Sequence, residues 1–299
     1  MRLIKRPGKF VFFLLAVLAF TGNFFIGSSA PLFTAMMTIL PVIGLGAAIY
    51  FEDENPEPIK TVLKIFAIGT LTIPLTYLFH YLLSLFIAID TTPFRQAFFS
   101  AATVEELSKW TIFMLFVRKL KDYDEPFDAV VYACTIGLSF ACIENILYVA
   151  RLGSDVVFSR AIFAVPGHFF DGVIMGYFLG KARFNKSWLK PYYYVMSVLG
   201  PLLAHGTYDF LLMVNNGVNE IVSIVLLLVF LWFDYKLWGF AVKLLGKMRM
   251  DTAQFHAEES KEDFAPDNES DDTELIDLTN EDNTIQDDST IVIEEDDRE

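Results

Sequence analysis

Phe127–Ala150 reads FDAVVYACTIGLSFACIENILYVA, and its only charged residues are Asp128, near the start, and Glu144. A bilayer core takes about 20 predominantly apolar residues of helix. The stretch is long enough to span, and it carries Glu144 and Asn145 into the hydrocarbon region. A charge at the bilayer centre costs at least about 2.5–3.5 kcal/mol on insertion scales. A residue retained at that cost calls for a function.

Outward from this segment the pattern repeats. Eight apolar stretches are long enough to span: 10–27, 31–51, 62–89, 97–117, 127–150, 160–181, 191–214 and 218–242. The expected fold is therefore all-α, a polytopic bundle of about eight transmembrane helices. Pro74 predicts a kink or tilt in the third. The first could be read as a signal peptide, with Ser28-Ser29-Ala30 as a cleavage site. Pro31 directly after that site argues for an uncleaved helix.

The net charge of −14 over 299 residues conceals two materials. Residues 251–299 hold 20 acidic and 2 basic side chains, so the rest of the chain is mildly basic. The expectation is a membrane domain at 1–250 and a disordered acidic cytoplasmic tail at 251–299. Leu275–Leu278 and Ile291–Ile293 are short apolar islands that could dock a protein partner. No basic recognition patch appears, which excludes nucleic acid as a partner. Cys134 and Cys142 share one span and read as packing residues, with no disulfide framework and no CxxC.

Basic residues fix the expected orientation. With both termini cytoplasmic, the inner segments collect most of the Lys and Arg, and the outer loops hold Arg95, Arg151 and Arg160.

Four spans carry the costly residues. The fourth has Val104-Glu105-Glu106-Leu107-Ser108-Lys109, and the fifth has Phe140-Ala141-Cys142-Ile143-Glu144-Asn145. The sixth has Pro166-Gly167-His168-Phe169-Phe170-Asp171, and the seventh has His205-Gly206-Thr207-Tyr208-Asp209. At 1.5 Å of rise per residue, Glu105, Glu144, His168 and His205 all fall roughly 9–13 Å below the outer ends of their spans. They can meet in one layer of the outer membrane half. Glu105 and Lys109 stand i,i+4 and can pair, as can His205 and Asp209. Gly167, Gly172, Gly176, Gly180 and Gly206 are small positions that allow close helix approach.

Carboxylates beside histidines in a low-dielectric cavity suit water activation: a carboxylate takes the proton, and histidine holds the water or shuttles the proton. The Asn145 amide could donate to an oxyanion. The same groups could bind a divalent metal such as zinc, with His168, His205 and Glu144 as candidates, although no HExxH occurs.

The ordered set resembles the PrsW-type intramembrane proteases, distant relatives of the CAAX prenyl-proteases. The resemblance rests on Glu105-Glu106-x-x-Lys109, Phe140-x-x-x-Glu144-Asn145, His168 after Pro166-Gly167, and His205-x-x-x-Asp209, over roughly residues 60–245. It implies proteolysis within the membrane of a membrane-anchored protein, such as an anti-sigma-factor-like substrate. It implies Glu105, Glu106, His205, His168 and Glu144 as the catalytic set, with Lys109, Asn145, Asp209 and Asp171 in support. By analogy with the prenyl-proteases, the preferred mechanism requires no metal and uses Glu/His-activated water. It also implies a bacterial plasma membrane setting. The competing class is a proton-coupled transporter or channel with a carboxylate–histidine relay. Transporters commonly show internal repeats, and none is visible here.

Overall fold

The computed structural model describes residues 31–87, 92–215 and 218–263. The expected first span, 10–27, lies outside the described residues, as does the tail beyond 263.

All the secondary structure described is helical. α1 is Pro31–Glu52, α2 Ile59–Gly69, α3 Thr72–Ser84 and α4 Val104–Ile112. α5 is Asp128–Leu152, α6 Val165–Phe184, α7 Lys190–Val214 and α8 Glu220–Asp263. Among the described residues, six helical stretches are long and apolar enough to cross a membrane: α1, α2 with α3, α5, α6 with the turns before it, α7 and α8. α4 is short, but π-helical turns at Gln96–Thr103 and Phe113–Val117 extend it into one helical column.

α2 and α3 form one long span that breaks at Thr70 and Leu71. Pro74 lacks the N–H that would bond the Thr70 carbonyl, and its ring crowds that carbonyl. The expected kink thus falls one turn before the proline. Thr72 Oγ1 donates to Gly69 O at 2.6 Å, and Ser139 Oγ of α5 donates to Phe66 O at 2.6 Å. The first closes the turn at the break, and the second ties the end of α2 to α5.

α5 and α6 form the buried centre, whereas α8 is largely turned outward. Their contact is close because one face of α6 lacks side chains. A Cβ at Gly172 would lie 2.8 Å from Cys134 Cα, one at Gly176 2.5 Å from Val130 Cα, and one at Gly180 2.7 Å from Pro126 O. Gly137 returns the relation, its virtual Cβ 2.7 Å from His168 O. Among membrane helices, close packing of small residues replaces the hydrophobic drive of water. Cys134 sits in this seam, buried and unpaired, as a packing residue. Gly153, at φ +84°, ends α5.

α8 continues to Asp263, past the boundary expected at 250. The acidic composition suggested disorder from 251 onward, but tertiary contacts hold this part of the helix. Lys181 Nζ lies 2.7 Å from Asp251, and His256 Nε2 lies 2.6 Å from Glu125.

Candidate active site

Each motif sits on its own helix, and the four helices converge. A cavity of about 460 Å³ is lined by Glu105 of α4, Glu144 of α5, His168 and Asp171 of α6, and His205 and Asp209 of α7. Tyr148, Arg160, Tyr208 and Phe230 complete its polar and aromatic wall.

His205 is the hub. Its Nδ1 lies 2.8 Å from Glu106 Oε1 and 3.7 Å from Asp171 Oδ2. Its Nε2 lies 3.4 Å from Asp209 Oδ2 and 3.7 Å from Glu105 Oε2. The expected i,i+4 orientation of His205 by Asp209 is therefore present.

The adjacent glutamates divide as their 100° offset requires. Glu105 lines the cavity, and Glu106 is fully buried behind it. Lys109 salt-bridges Glu106 at 2.6 Å, at i,i+3, rather than taking Glu105 as its partner. The i,i+4 spacing pointed to Glu105, but the i,i+3 neighbour is equally within reach. Glu106 wins because it turns inward with Lys109, away from the cavity.

Lys109 Nζ also lies 3.1 Å from His168 Nδ1. An ammonium only donates, so Nδ1 accepts and the His168 proton sits on Nε2. From there it is donated to Glu144 Oε2 at 2.9 Å. The chain Glu106–Lys109–His168–Glu144 thus crosses three helices.

Arg160 is the residue whose part in the site the sequence does not signal. It counts with the outer charges and opens the span 160–181, and in the structure it begins a π-helical turn, Arg160–Ala164, leading into α6. Its Nη2 donates to Glu144 Oε2 at 2.6 Å, and its Nε donates to Asn145 Oδ1 at 2.7 Å. Its guanidinium stacks 3.8 Å from the Tyr148 ring centre. Asn145 consequently faces Arg160 and is not among the residues lining the cavity, whereas Arg160 is. The only sequence signal was an arginine two helical turns before His168. Wide turns of this kind recur at functional sites, and a second one, Gln96–Thr103, leads into Glu105.

Five carboxylates, on Glu105, Glu106, Glu144, Asp171 and Asp209, face the fixed cations Lys109 and Arg160. So many buried carboxyl groups are stable together only if protons or a further cation offset their charge. One ligand atom each from Glu106, His168, Asp171 and His205 lies within 4.8 Å of the others, and Glu105, Glu144 and His168 form a second such group. Glu105 Oε2, Glu106 Oε2 and Asp171 Oδ1 are buried without a hydrogen-bond partner among the described residues. Imidazole nitrogens with carboxylate oxygens are a donor set for zinc and similar divalent ions. The residues present fit a metal.

A membrane bundle with buried carboxylates and histidines around a cavity defines, with the comparisons that follow, an intramembrane peptidase. A family model described as "PrsW family intramembrane metalloprotease" matches residues 57–233. The chain belongs to this family. It is 35% identical over 199 residues to Protease PrsW of Oceanobacillus iheyensis, covering 67% of this chain and 92% of that protein. Against Protease PrsW of Bacillus subtilis it is 36% identical over 197 residues, covering 65% and 88%. Against Protease PrsW of Clostridioides difficile it is 30% identical over 238 residues, covering 77% and 93%. No solved structure matches.

The family resolves the two open alternatives. The transporter reading falls, because the chain is a protease. The preference for a mechanism without metal is also overturned, since the family is one of metalloproteases and the site holds a matching donor set. The prenyl-protease analogy misled because the motif residues are the same types in both chemistries.

Proposed function

We propose that this chain hydrolyses a peptide bond of a membrane-tethered protein, an anti-sigma-factor-like substrate being the type case, with Glu105 as the proton acceptor at a metal-assisted site. The convergence of Glu105, His168, Asp171 and His205 from three helices on one cavity, with Glu106 behind it on His205, carries this reading. His205, Glu106 and Asp171 would hold the metal, and His168 would join them by releasing either Lys109 from Nδ1 or its Nε2 proton. A divalent ion bound there supplies a Lewis acid that polarises the scissile carbonyl and acidifies a water.

The other roles follow from contacts. Glu105 faces the cavity, where it takes the proton of the attacking water and returns it to the leaving amine. Asp209 holds the His205 ring from its Nε2 side. Arg160 and Glu144 fix His168 from the cavity side, and Arg160 is placed to meet a developing oxyanion. Lys109 neutralises Glu106.

In this reading the protein is an eight-pass bundle in a bacterial plasma membrane, with both termini cytoplasmic. Residues 1–250 form the protease domain, and the acidic segment beyond forms a cytoplasmic appendix open to a protein partner. The cavity then opens in the outer membrane half, near the external stub of a substrate. Co-expression with a single-span reporter tests it. Glu105→Ala, Glu106→Ala and His205→Ala should each abolish cleavage while the protein stays membrane-inserted. Cleavage by all three variants would overturn the reading.

A further inference from the structure

A second cluster of acidic side chains lies at the opposite end of the bundle. It joins the α1–α2 loop to the segment before α5. Asp53, Glu125 and Asp128 are all buried, and one carboxylate oxygen from each lies within 4.8 Å of the others. Glu57, Asp124 and Asp128 form an overlapping group.

Hydrogen bonds account for only part of this oxygen. Asp128 Oδ2 accepts from the backbone N–H groups of Asp124 and Glu125, at 2.9 and 2.8 Å. Asp53 Oδ1 accepts from Asn55 N at 3.1 Å, and Glu125 Oε2 meets Asn55 Nδ2 at 3.0 Å and His256 Nε2 at 2.6 Å. Glu57 Oε2 accepts from the Tyr132 hydroxyl. What remains is one oxygen on each of the three carboxylates. Asp53 Oδ2, Glu125 Oε1 and Asp128 Oδ1 are buried with no hydrogen-bond partner among the described residues. Leaving a buried polar atom unpaired costs free energy, more so when it is charged. Burial, with Glu125 and Glu57 beside it, pushes the Asp53 carboxyl up to about 7.

We propose that Asp53, Glu125 and Asp128 form a binding site for a hard divalent cation, magnesium or calcium, separate from the proteolytic centre. Every ligand is an oxygen, which suits those ions and sets the site apart from the imidazole-containing donor set around His205. The bound ion joins the α1–α2 loop to the start of α5. His256 on Glu125 brings in the extension of α8. α5 carries Glu144 sixteen residues beyond Asp128, so the ion anchors the base of a helix whose far half supplies the protease cavity. The proposal does not depend on the protease assignment.

Terbium(III) luminescence on the purified full-length protein tests the site, because Tyr132 is hydrogen-bonded to Glu57 of the cluster and can sensitise a bound lanthanide. A His205→Ala background weakens binding at the proteolytic centre, and the loss of emission in Asp53→Asn and Glu125→Gln assigns what remains to this cluster. Saturable terbium emission should persist in that background, and calcium or magnesium should displace it. Asp53→Asn and Glu125→Gln should each weaken binding at least tenfold. Either ion, at about a hundredfold over its Kd, should raise Tm by roughly 5 °C in the parent and not in Asp53→Asn. Asp128 also holds two backbone N–H groups, so Asp53→Asn is the variant least exposed to misfolding. Absence of sensitised emission in the His205→Ala background would overturn the proposal. So would a rise in Tm of Asp53→Asn that is independent of cations, which would mean that the carboxylates share a proton instead.

Discussion

His205 Nδ1 and Glu106 Oε1 lie 2.8 Å apart, although 99 residues separate them in sequence, and the same glutamate oxygen takes the Lys109 ammonium at 2.6 Å. Glu106 is thus the carboxylate that ties α4 to α7 and balances a buried cation, whereas its neighbour Glu105 faces the cavity.

That division separates two phenotypes. Glu105→Gln should lower cleavage at least about 10²-fold, the usual scale of a lost general base, with little change in thermal stability. Glu106→Ala strands Lys109 without its partner, and breaking a buried pair costs about 3–5 kcal/mol. It should lose both activity and stability. Melting in detergent alongside reporter cleavage reads both effects. Equal stability of the two variants would refute the division.

Metal removal should silence the enzyme. Incubation of the purified protein with phenanthroline should abolish cleavage, and a divalent transition metal should restore it. Elemental analysis should find bound metal in the parent protein and a clear loss in His205→Ala, since His205 is central to the donor set. Full activity in metal-free protein would disprove the assignment.

Arg160 should prove a positioning residue. Its two hydrogen bonds to Glu144 and Asn145 need the fork of a guanidinium, which Lys cannot reproduce. Arg160→Lys should lower kcat/KM about 10–100-fold, the usual cost of losing a group that orients site residues, while metal content stays closer to that of the parent than in His205→Ala. An unchanged rate would leave Arg160 as a surface anchor.

The seam between α5 and α6 should be the least tolerant packing surface. Gly176→Ala places a Cβ 2.5 Å from Val130 Cα and 2.6 Å from Ala129 O, both backbone atoms. The helices must separate, and overpacking of this kind costs about 1–3 kcal/mol. Gly246→Ala on α8 meets nothing within 4 Å. As a helix-interior replacement it should be neutral or gain up to about 1 kcal/mol. Comparing the two melting curves checks the claim.

What the sequence by itself determined was one-dimensional. Run length and the positions of ionisable residues marked the spans, and rise per residue placed Glu105, Glu144, His168 and His205 at a common depth. Pro74 announced the break that forms at Thr70 and Leu71. The ordered motifs announced the family. Tertiary structure decided what depends on rotation about the helix axes. Lys109 stands one turn from both glutamates, so only packing could choose Glu106. Arg160 reaches Glu144 from a π-helical turn that no residue pattern signals. His256 belongs to a composition typical of disorder, yet it is held by Glu125 across 131 residues. The acidic cluster of Asp53, Glu125 and Asp128 is scattered along the chain and converges only when two loops meet. Helical periodicity sets depth and face within one segment; partners on other segments are fixed by how the whole bundle packs.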